Sequence, residues 1–160
     1  MTKKLLGVDV GGVIIDRQND QTDTSFFGPN FLATTAVPGV FECLQQLHRN
    51  GYHIHVVSKC GPTTQQRTLQ WLDHHRFFER TGVKRQDVHF CLTRAEKAPI
   101  CTAQKITHFV DDRLDVLDYL QDVDQLLLFQ PNLKDERRWR SSPQRSKLVT
   151  HWPEVVRLLS

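Results

Sequence analysis

Short apolar runs alternate with segments of helical spacing along this 160-residue chain, and this alternation constrains the fold more than any other feature. The runs predict five β-strands, at residues 5–10, 52–57, 88–92, 106–110 and 125–129. Strands that alternate with helices favour parallel pairing through right-handed crossovers. We therefore expect a single Rossmann-like α/β domain over residues 1–160, with a mostly parallel five-stranded sheet and helices on both faces.

Turn and capping signals bound the predicted helices. Pro38 and Pro62 stand where a proline suits the first turn of a helix. The spacing predicts helices at residues 38–48, 62–75, 98–104, 113–120 and 152–159. Two stretches lack such a pattern and are expected as a short flap-like insertion at 17–37 and a basic loop at 130–147.

Chemically active side chains stand where the predicted strands end. Asp9 ends the first strand, Ser58 follows the second, and Asp111-Asp112 follow the fourth. Lys97 begins the helical segment before the fourth strand. Because ligands of parallel sheets bind at the carboxyl ends of the strands, we expect these residues to meet at one edge.

These residue types suit the handling of phosphate. Carboxylates and a backbone carbonyl are hard oxygen ligands, which Mg²⁺ prefers. A carboxylate can also attack phosphorus to form an acyl phosphate, while a hydroxyl and an ammonium hold the transferred oxygens. The sequence contains no G-x-x-x-x-G-K-[ST] motif, which excludes a P-loop.

The stretch from Asp9 to Asp16, DVGGVIID, is similar to the first motif of the haloacid dehalogenase (HAD) superfamily. That motif is an aspartate at the end of the first strand, followed by x-D-G-[TV]-[LI]-x-D. Ser58 resembles the second motif, Lys97 in EKAP the third, and VDDR at 110–113 the fourth. All four occur in the family's order, whereas a receiver domain would have its acidic pair after the first strand.

The resemblance implies catalytic roles for three residues. Asp9 would be the nucleophile, Ser58 would orient the phosphoryl group, and Lys97 would neutralise the nucleophile and the phosphate. The resemblance also implies a Mg²⁺ site formed by Asp9, the Gly11 carbonyl, Asp111 and Asp112. Asp112 would be the second carboxylate ligand, with Asp111 beside it. We expect substrate contacts from three neighbouring residues: Gly12, Lys59 and Arg113.

Position 11 departs from the family's commonest pattern. It usually carries a second aspartate, the general acid that protonates the leaving group, and here it is glycine. The resemblance implies a Mg²⁺-dependent phosphatase acting through an aspartyl-phosphate. Good leaving groups should be favoured, because general acid catalysis is worth about 10²–10⁴-fold. Two alternatives stay open: a non-catalytic phosphate-binding or interaction module, and a dehalogenase, which needs no metal and leaves the acidic pair unexplained.

Neither 17–37 nor 59–96 is long enough for the full cap domain that usually covers small substrates in this family. The phosphorylated substrate is thus expected to be large, or to be covered by a partner chain or by a flap at Phe26-Phe27. The segment 134–147 is rich in basic residues and contains a tryptophan, so it could hold phosphate-rich ligands. A solvated basic loop is the alternative.

Charge and cysteine content bound the remaining classes. The net charge of +3, from 21 basic and 18 acidic residues, does not favour nucleic acid as a partner. No apolar run approaches the ~20 residues of a membrane span, and the four cysteines form no zinc pattern, so we expect a cytoplasmic protein with reduced thiols. His53 and His55 alternate on one strand face and, without a third ligand, are interpreted as structural. The sequence makes no prediction of oligomeric state.

Overall fold

Parallel strands form the centre of the protein. The computed structural model describes residues 3–17 and 25–160, and within them the sheet contains β1 (Leu5–Val8), β2 (His53–Lys59), β3 (Val88–Cys91), β4 (His108–Asp111), β5 (Gln125–Phe129) and β6 (Lys147–Val149). Neighbouring strands are all parallel, in the order β3-β2-β1-β4-β5-β6. The prediction of one α/β domain with a parallel sheet is confirmed, and a sixth short strand extends the expected five.

Helices connect the strands. They are α1 (Val40–Arg49), α2 (Pro62–His74), α3 (Phe77–Thr81), α4 (Lys97–Ala103), α5 (Leu114–Tyr119), α6 (Leu133–Ser141) and α7 (Trp152–Leu159). The first turns of α2 and α7 contain Pro62 and Pro153. Proline is tolerated there, because the first N–H groups of a helix have no intrahelical acceptor. The buried face of α1 carries Phe41, Leu44 and Leu47 at helical spacing, which directs this helix onto the sheet.

Helices cover both faces of the sheet, as expected. One face packs against α1, α2, α3 and α7, and its core includes the indole rings of Trp71 and Trp152. The other face packs against α4 and α5, and its core includes Phe109. Both buried indoles donate a hydrogen bond to a backbone carbonyl, Trp71 to Thr34 and Trp152 to Val13, each at 2.9 Å. The polar atom of each ring is therefore satisfied inside the core.

The segment 130–147, expected as a basic loop, contains α6 and leads into β6. The Asn132 side chain caps α6 by accepting a hydrogen bond from the Asp135 N–H at 2.8 Å. Trp139 packs against the core on the α4 and α5 side, and its Nε1 donates to the Ser146 carbonyl at 3.2 Å. A cap and one partly buried aromatic ring thus stabilise a helix whose composition is mostly polar.

The connection from β1 to α1 contains the predicted flap-like insertion, of which residues 18–24 lie outside the described part. Phe26 is buried, whereas Phe27 is 63% exposed. Arg67 in α2 donates hydrogen bonds to the carbonyls of Phe26 and Gly28, each at 3.2 Å, and so holds this part of the insertion against the domain. Within the described residues, neither this connection nor the one from β2 to β3 contains a second domain.

No helix in the described part of the chain combines the length and the apolarity that crossing a membrane requires.

Candidate active site

Strand register brings the predicted site residues together. In β1, Val8 is level with Val56 of β2 and with Val110 of β4, so the three strands end at the same edge. A cavity of about 340 Å³ lies at this edge. Its lining includes Asp9, Ser58 and Asp111 at the strand ends, and Lys97, the first residue of α4. The parallel sheet accounts for this convergence, because Asp9 follows β1, Ser58 and Asp111 lie at the carboxyl ends of β2 and β4, and Lys97 begins the helix that connects β3 to β4.

Lys97 is the centre of the charge arrangement. Its side chain is buried, and its Nζ donates to Asp9 Oδ1 at 3.0 Å and to Asp111 Oδ2 at 2.8 Å. Burial alone would lower the pKa of Lys97, but the two carboxylates outweigh it and raise the pKa above its ordinary value. The ammonium is therefore held in its charged form, where it fixes the orientation of both carboxylates.

Asp111 and Asp112 differ in their partners. Both oxygens of the fully buried Asp111 have protein donors, because Oδ2 accepts from Lys97 and Oδ1 accepts from the Arg113 backbone N–H at 3.0 Å. Asp112 Oδ2 lies 3.6 Å from the guanidinium Nη1 of Arg17. Asp112 Oδ1 is buried without a hydrogen-bond partner among the described residues. The second carboxylate of the pair thus has an oxygen that a ligand can use.

The acidic group fits a divalent cation. Asp9, Asp111 and Asp112 each offer a carboxylate oxygen, and these oxygens lie within 4.8 Å of one another. Burial, together with the Asp9 and Asp111 carboxylates, raises the pKa of Asp112 to about 8. Burial and the Asp9 carboxylate likewise raise the pKa of Asp111 to about 6. A hard cation at these oxygens would offset the repulsion and give Asp112 Oδ1 its missing partner.

Two glycines shape the loop after β1. Gly12 has φ +79°, and a Cβ there would lie 2.5 Å from Asp112 Oδ2, so this position admits only glycine. Gly11 is not in the left-handed region. A Cβ at Gly11 would meet the Arg17 guanidinium, 2.8 Å from Nη2 and 2.9 Å from Nε. The space beside Gly11, where the family's general acid would stand, is therefore occupied by an arginine side chain.

The remaining predicted residues lie in two adjoining cavities. Ser58 is buried, and its Oγ lies 3.8 Å from Cys60 Sγ. Lys59 and Arg113 line the main cavity with Ser58. Gly12 and Asp112 line a smaller neighbouring cavity, which Arg113 shares. The predicted substrate-contact residues are thus divided, because Gly12 lies on the side of the loop away from Ser58.

The cavity also contains residues that the sequence did not single out. Arg17 lines both cavities, as do Asp16 and Arg113. Arg94 lines the main cavity and pairs with Asp115 at 2.8 Å. Phe26 and Phe27 form an apolar part of the wall, in agreement with their expected place near the site. The position of Arg94 after β3, at the same edge of the sheet, was the available signal for its inclusion.

Comparisons with known proteins give information on the fold. No protein-family profile and no curated protein matches the sequence. Among solved structures, D,D-heptose bisphosphate phosphatase from B. bronchiseptica, complexed with magnesium and phosphate, superimposes with a TM-score of 0.73 at 16% identity, over 98% of this chain and 97% of that one. The chain has the haloacid dehalogenase-like fold.

Other structures with the HAD-like fold match over similar lengths. A HAD-superfamily hydrolase of subfamily IA from Geobacter sulfurreducens PCA gives a TM-score of 0.63 at 12% identity, over 99% of this chain and 97% of that one. Phosphoserine phosphatase in its apo form gives 0.60 at 12% identity, over 98% of each chain. The fold implied by the four motifs is thus confirmed, and at these identities the likeness concerns the fold alone.

Proposed function

We propose that this chain is a Mg²⁺-dependent phosphate-ester hydrolase that forms an aspartyl-phosphate at Asp9. The observation that carries the proposal is the buried Lys97 ammonium, which bridges Asp9 and Asp111 at the cavity while Asp112 keeps an oxygen without a protein donor. A nucleophilic carboxylate, a fixed positive charge and a free metal-binding oxygen are the components that phosphoryl transfer to aspartate requires.

The metal-binding residues can be distinguished by their partners. Asp9, Asp112 and the Gly11 carbonyl would hold the Mg²⁺, which supplies charge neutralisation for the phosphate oxygens when bound. Both oxygens of Asp111 already accept hydrogen bonds, from Lys97 and from the Arg113 N–H. Asp111 is therefore proposed as a positioning residue for Lys97.

The reaction proceeds in two displacement steps. An Asp9 carboxylate oxygen attacks phosphorus, the ester P–O bond breaks, and the leaving oxygen departs with the bonding electrons. Water then attacks the phosphorus of the acyl phosphate, which releases inorganic phosphate and a proton and restores the Asp9 carboxylate. Lys97 offsets negative charge on Asp9 and on the phosphoryl oxygens in both steps, and the Ser58 hydroxyl donates to one of those oxygens.

Arg17 sets the leaving-group preference. Its guanidinium occupies the space beside Gly11 and can stabilise negative charge on a leaving oxygen. An arginine does not release a proton at neutral pH, so it cannot replace a general acid. Acyl and aryl phosphates, whose leaving groups need little protonation, are therefore the preferred substrate class.

The shape and charge of the cavity support a phosphorylated ligand. Its volume of about 340 Å³ lies at the small end of ligand pockets and suits a phosphoryl group with the atoms attached to it. Lys59, Arg94 and Arg113 line it and offer positive charge, while Phe26 and Phe27 offer an apolar surface. The neighbouring structures include proteins named as phosphatases of a heptose bisphosphate and of phosphoserine, which supports the same class of chemistry.

A non-catalytic phosphate-binding module is the second candidate, favoured by the glycine at position 11. Hydrolysis assays on a panel of acyl, aryl and alkyl phosphates, with and without Mg²⁺, distinguish the two. The proposal predicts Mg²⁺-dependent release of phosphate that Asp9→Asn abolishes. Phosphate binding without turnover of any compound on the panel would establish the module instead.

A further inference from the structure

A second group of ligand-type side chains lies away from the candidate active site. It consists of His53, His55, Asp87 and His89, and we refer to it as the histidine cluster. His53 and His55 stand near the start of β2, and His89 is on the edge strand β3. Asp87 ends the 3₁₀ helix Arg85–Asp87, which leads directly into β3. His89 is level with Val57 of β2 in the parallel ladder, and Val57 is two residues beyond His55. Because alternate residues of a strand share a face, His89 lies on the same face of the sheet as His53 and His55.

The ligand atoms of the histidine cluster are close together. His55 Nδ1 lies 3.0 Å from His89 Nε2 and 3.7 Å from Asp87 Oδ1. His53 Nε2 lies 2.8 Å from Asp87 Oδ2. One ligand atom each from His53, His55 and Asp87 can be chosen so that all three lie within 4.8 Å of one another. Asp87 therefore supplies the third ligand that the sequence pattern of His53 and His55 lacked, and the His89 ring contacts His55 beside it.

These separations are those of a nearly formed tetrahedral metal site. Ligands about 2.0–2.1 Å from a tetrahedral zinc ion stand about 3.3–3.4 Å from one another. The His53–Asp87 and His55–Asp87 distances of 2.8 and 3.7 Å lie on either side of that value. Small side-chain rotations would therefore bring the atoms around one ion.

The chemistry of the cluster is also selective. Two imidazoles and one carboxylate favour zinc and other borderline transition metals over Mg²⁺, which prefers oxygen ligands. Asp87 is buried, and its negative charge would offset part of the charge of the ion.

We propose that the histidine cluster binds one Zn²⁺ ion through His53, His55 and Asp87, with His89 as the hydrogen-bond partner that orients His55. The ion joins β2 to the turn before the edge strand β3. His53 precedes Ser58 by five residues along β2, a distance of about 16 Å at ~3.3 Å per residue. The metal therefore stabilises the edge of the sheet and takes no part in the chemistry at Asp9.

The test measures Zn²⁺ binding to the full chain in excess Mg²⁺, which occupies the carboxylates of the candidate active site. A chromophoric chelator reports affinity, and Co²⁺ reports coordination through its visible spectrum. His53→Ala and His89→Gln are the informative variants, because neither ring is fully buried. His74→Gln, an exposed histidine at the end of α2, is the matched control. Asp112→Asn controls for zinc at the carboxylate site.

We expect one Zn²⁺ per chain, a tetrahedral Co²⁺ spectrum and a rise in the melting temperature with zinc. His53→Ala and His89→Gln should each weaken zinc binding by more than about tenfold, since loss of even an outer-shell partner costs about 10- to 100-fold. His74→Gln and Asp112→Asn should bind zinc as the wild type does. Absence of zinc binding in excess Mg²⁺, or unchanged affinity in both cluster variants, overturns the proposal and leaves a hydrogen-bonded network. Neither result bears on hydrolysis at Asp9.

Discussion

Replacing Gly11 with aspartate should add a proton donor at the position where the HAD-like motif usually carries one. The backbone permits the change, because Gly11 is outside the left-handed region whereas the adjacent Gly12 is within it at φ +79°. The new Cβ would stand 2.8 Å from Arg17 Nη2, so the guanidinium must move aside. That group is the far end of a flexible side chain that is 45% exposed, and the displacement should cost little.

The expected gain follows from acid catalysis and from Arg17. A general acid contributes about 10²–10⁴-fold, or about 2.7–5.4 kcal/mol of barrier. The guanidinium beside the new carboxyl favours its deprotonated form and reduces the gain. We therefore expect kcat on alkyl phosphates to rise about 10²-fold, the lower end of that range. Adding Arg17→Ala should raise it further, because the carboxyl then keeps its proton more easily.

The assay compares kcat for acetyl phosphate and p-nitrophenyl phosphate with kcat for glycerol phosphate, in saturating Mg²⁺. The wild type should cleave the first two far faster, and Gly11→Asp should narrow the gap by accelerating the alkyl substrate. Gly61→Asp is the matched control, since it adds a carboxylate to the cavity wall where a Cβ meets nothing within 4 Å. Rapid hydrolysis of glycerol phosphate by the wild type would refute this reasoning and direct attention to Asp16, which also lines the cavity, as the acid.

Three further perturbations test separate parts of the site. Asp112→Asn should weaken Mg²⁺ binding in titration calorimetry by about tenfold or more. Asp111→Asn should lower kcat with a smaller effect on Mg²⁺ affinity. Equal losses of Mg²⁺ affinity in the two variants would contradict their separate roles. Lys97→Met should lower the free energy of unfolding by about 3–5 kcal/mol in denaturant titrations without metal, because it removes the ammonium from two buried carboxylates. Unchanged stability would show that these ion pairs contribute little. Neutralising Arg137, Arg138 and Arg140 of α6 should leave KM unchanged, because none of the three is among the described residues that line the main cavity. Arg138 and Arg140 already pair with carboxylates of the chain. A raised KM would restore the substrate-binding interpretation of this segment.

The alternation of apolar runs and helices was sufficient to predict the sheet and the edge where the site lies. The strand Gln125–Phe129 has the bounds that its apolar run indicates, and Asp9 and Ser58 meet because parallel strands end together. These features depend on local periodicity and on chain order, both of which are visible in a single sequence. The HAD-like motifs are recognised from the same two features, because each motif stands at the end of a predicted element and the four occur in a fixed order.

Features that depend on tertiary contacts were not predictable in the same way. Helix α6 was missed because its polar composition resembles a loop, and the packing of Trp139 against the core becomes apparent only in the folded chain. The place of Arg17 beside Gly11 follows from the path of the turn after β1. Asp87 lies 34 residues beyond its partner His53, so the histidine cluster could not be recognised from the spacing on β2.

Formation of a phosphoryl-like adduct at Asp9 is the central claim, and binding of beryllofluoride tests it most directly. This anion mimics the phosphoryl group of an acyl phosphate, and fluorine NMR can detect it when it is attached to a protein carboxylate. The account predicts a bound signal that requires Mg²⁺ in the wild type and is absent in Asp9→Asn, with the fold of the variant verified by circular dichroism. A bound signal that persists in Asp9→Asn, or full hydrolysis by that variant, would contradict the assignment of Asp9 as the nucleophile.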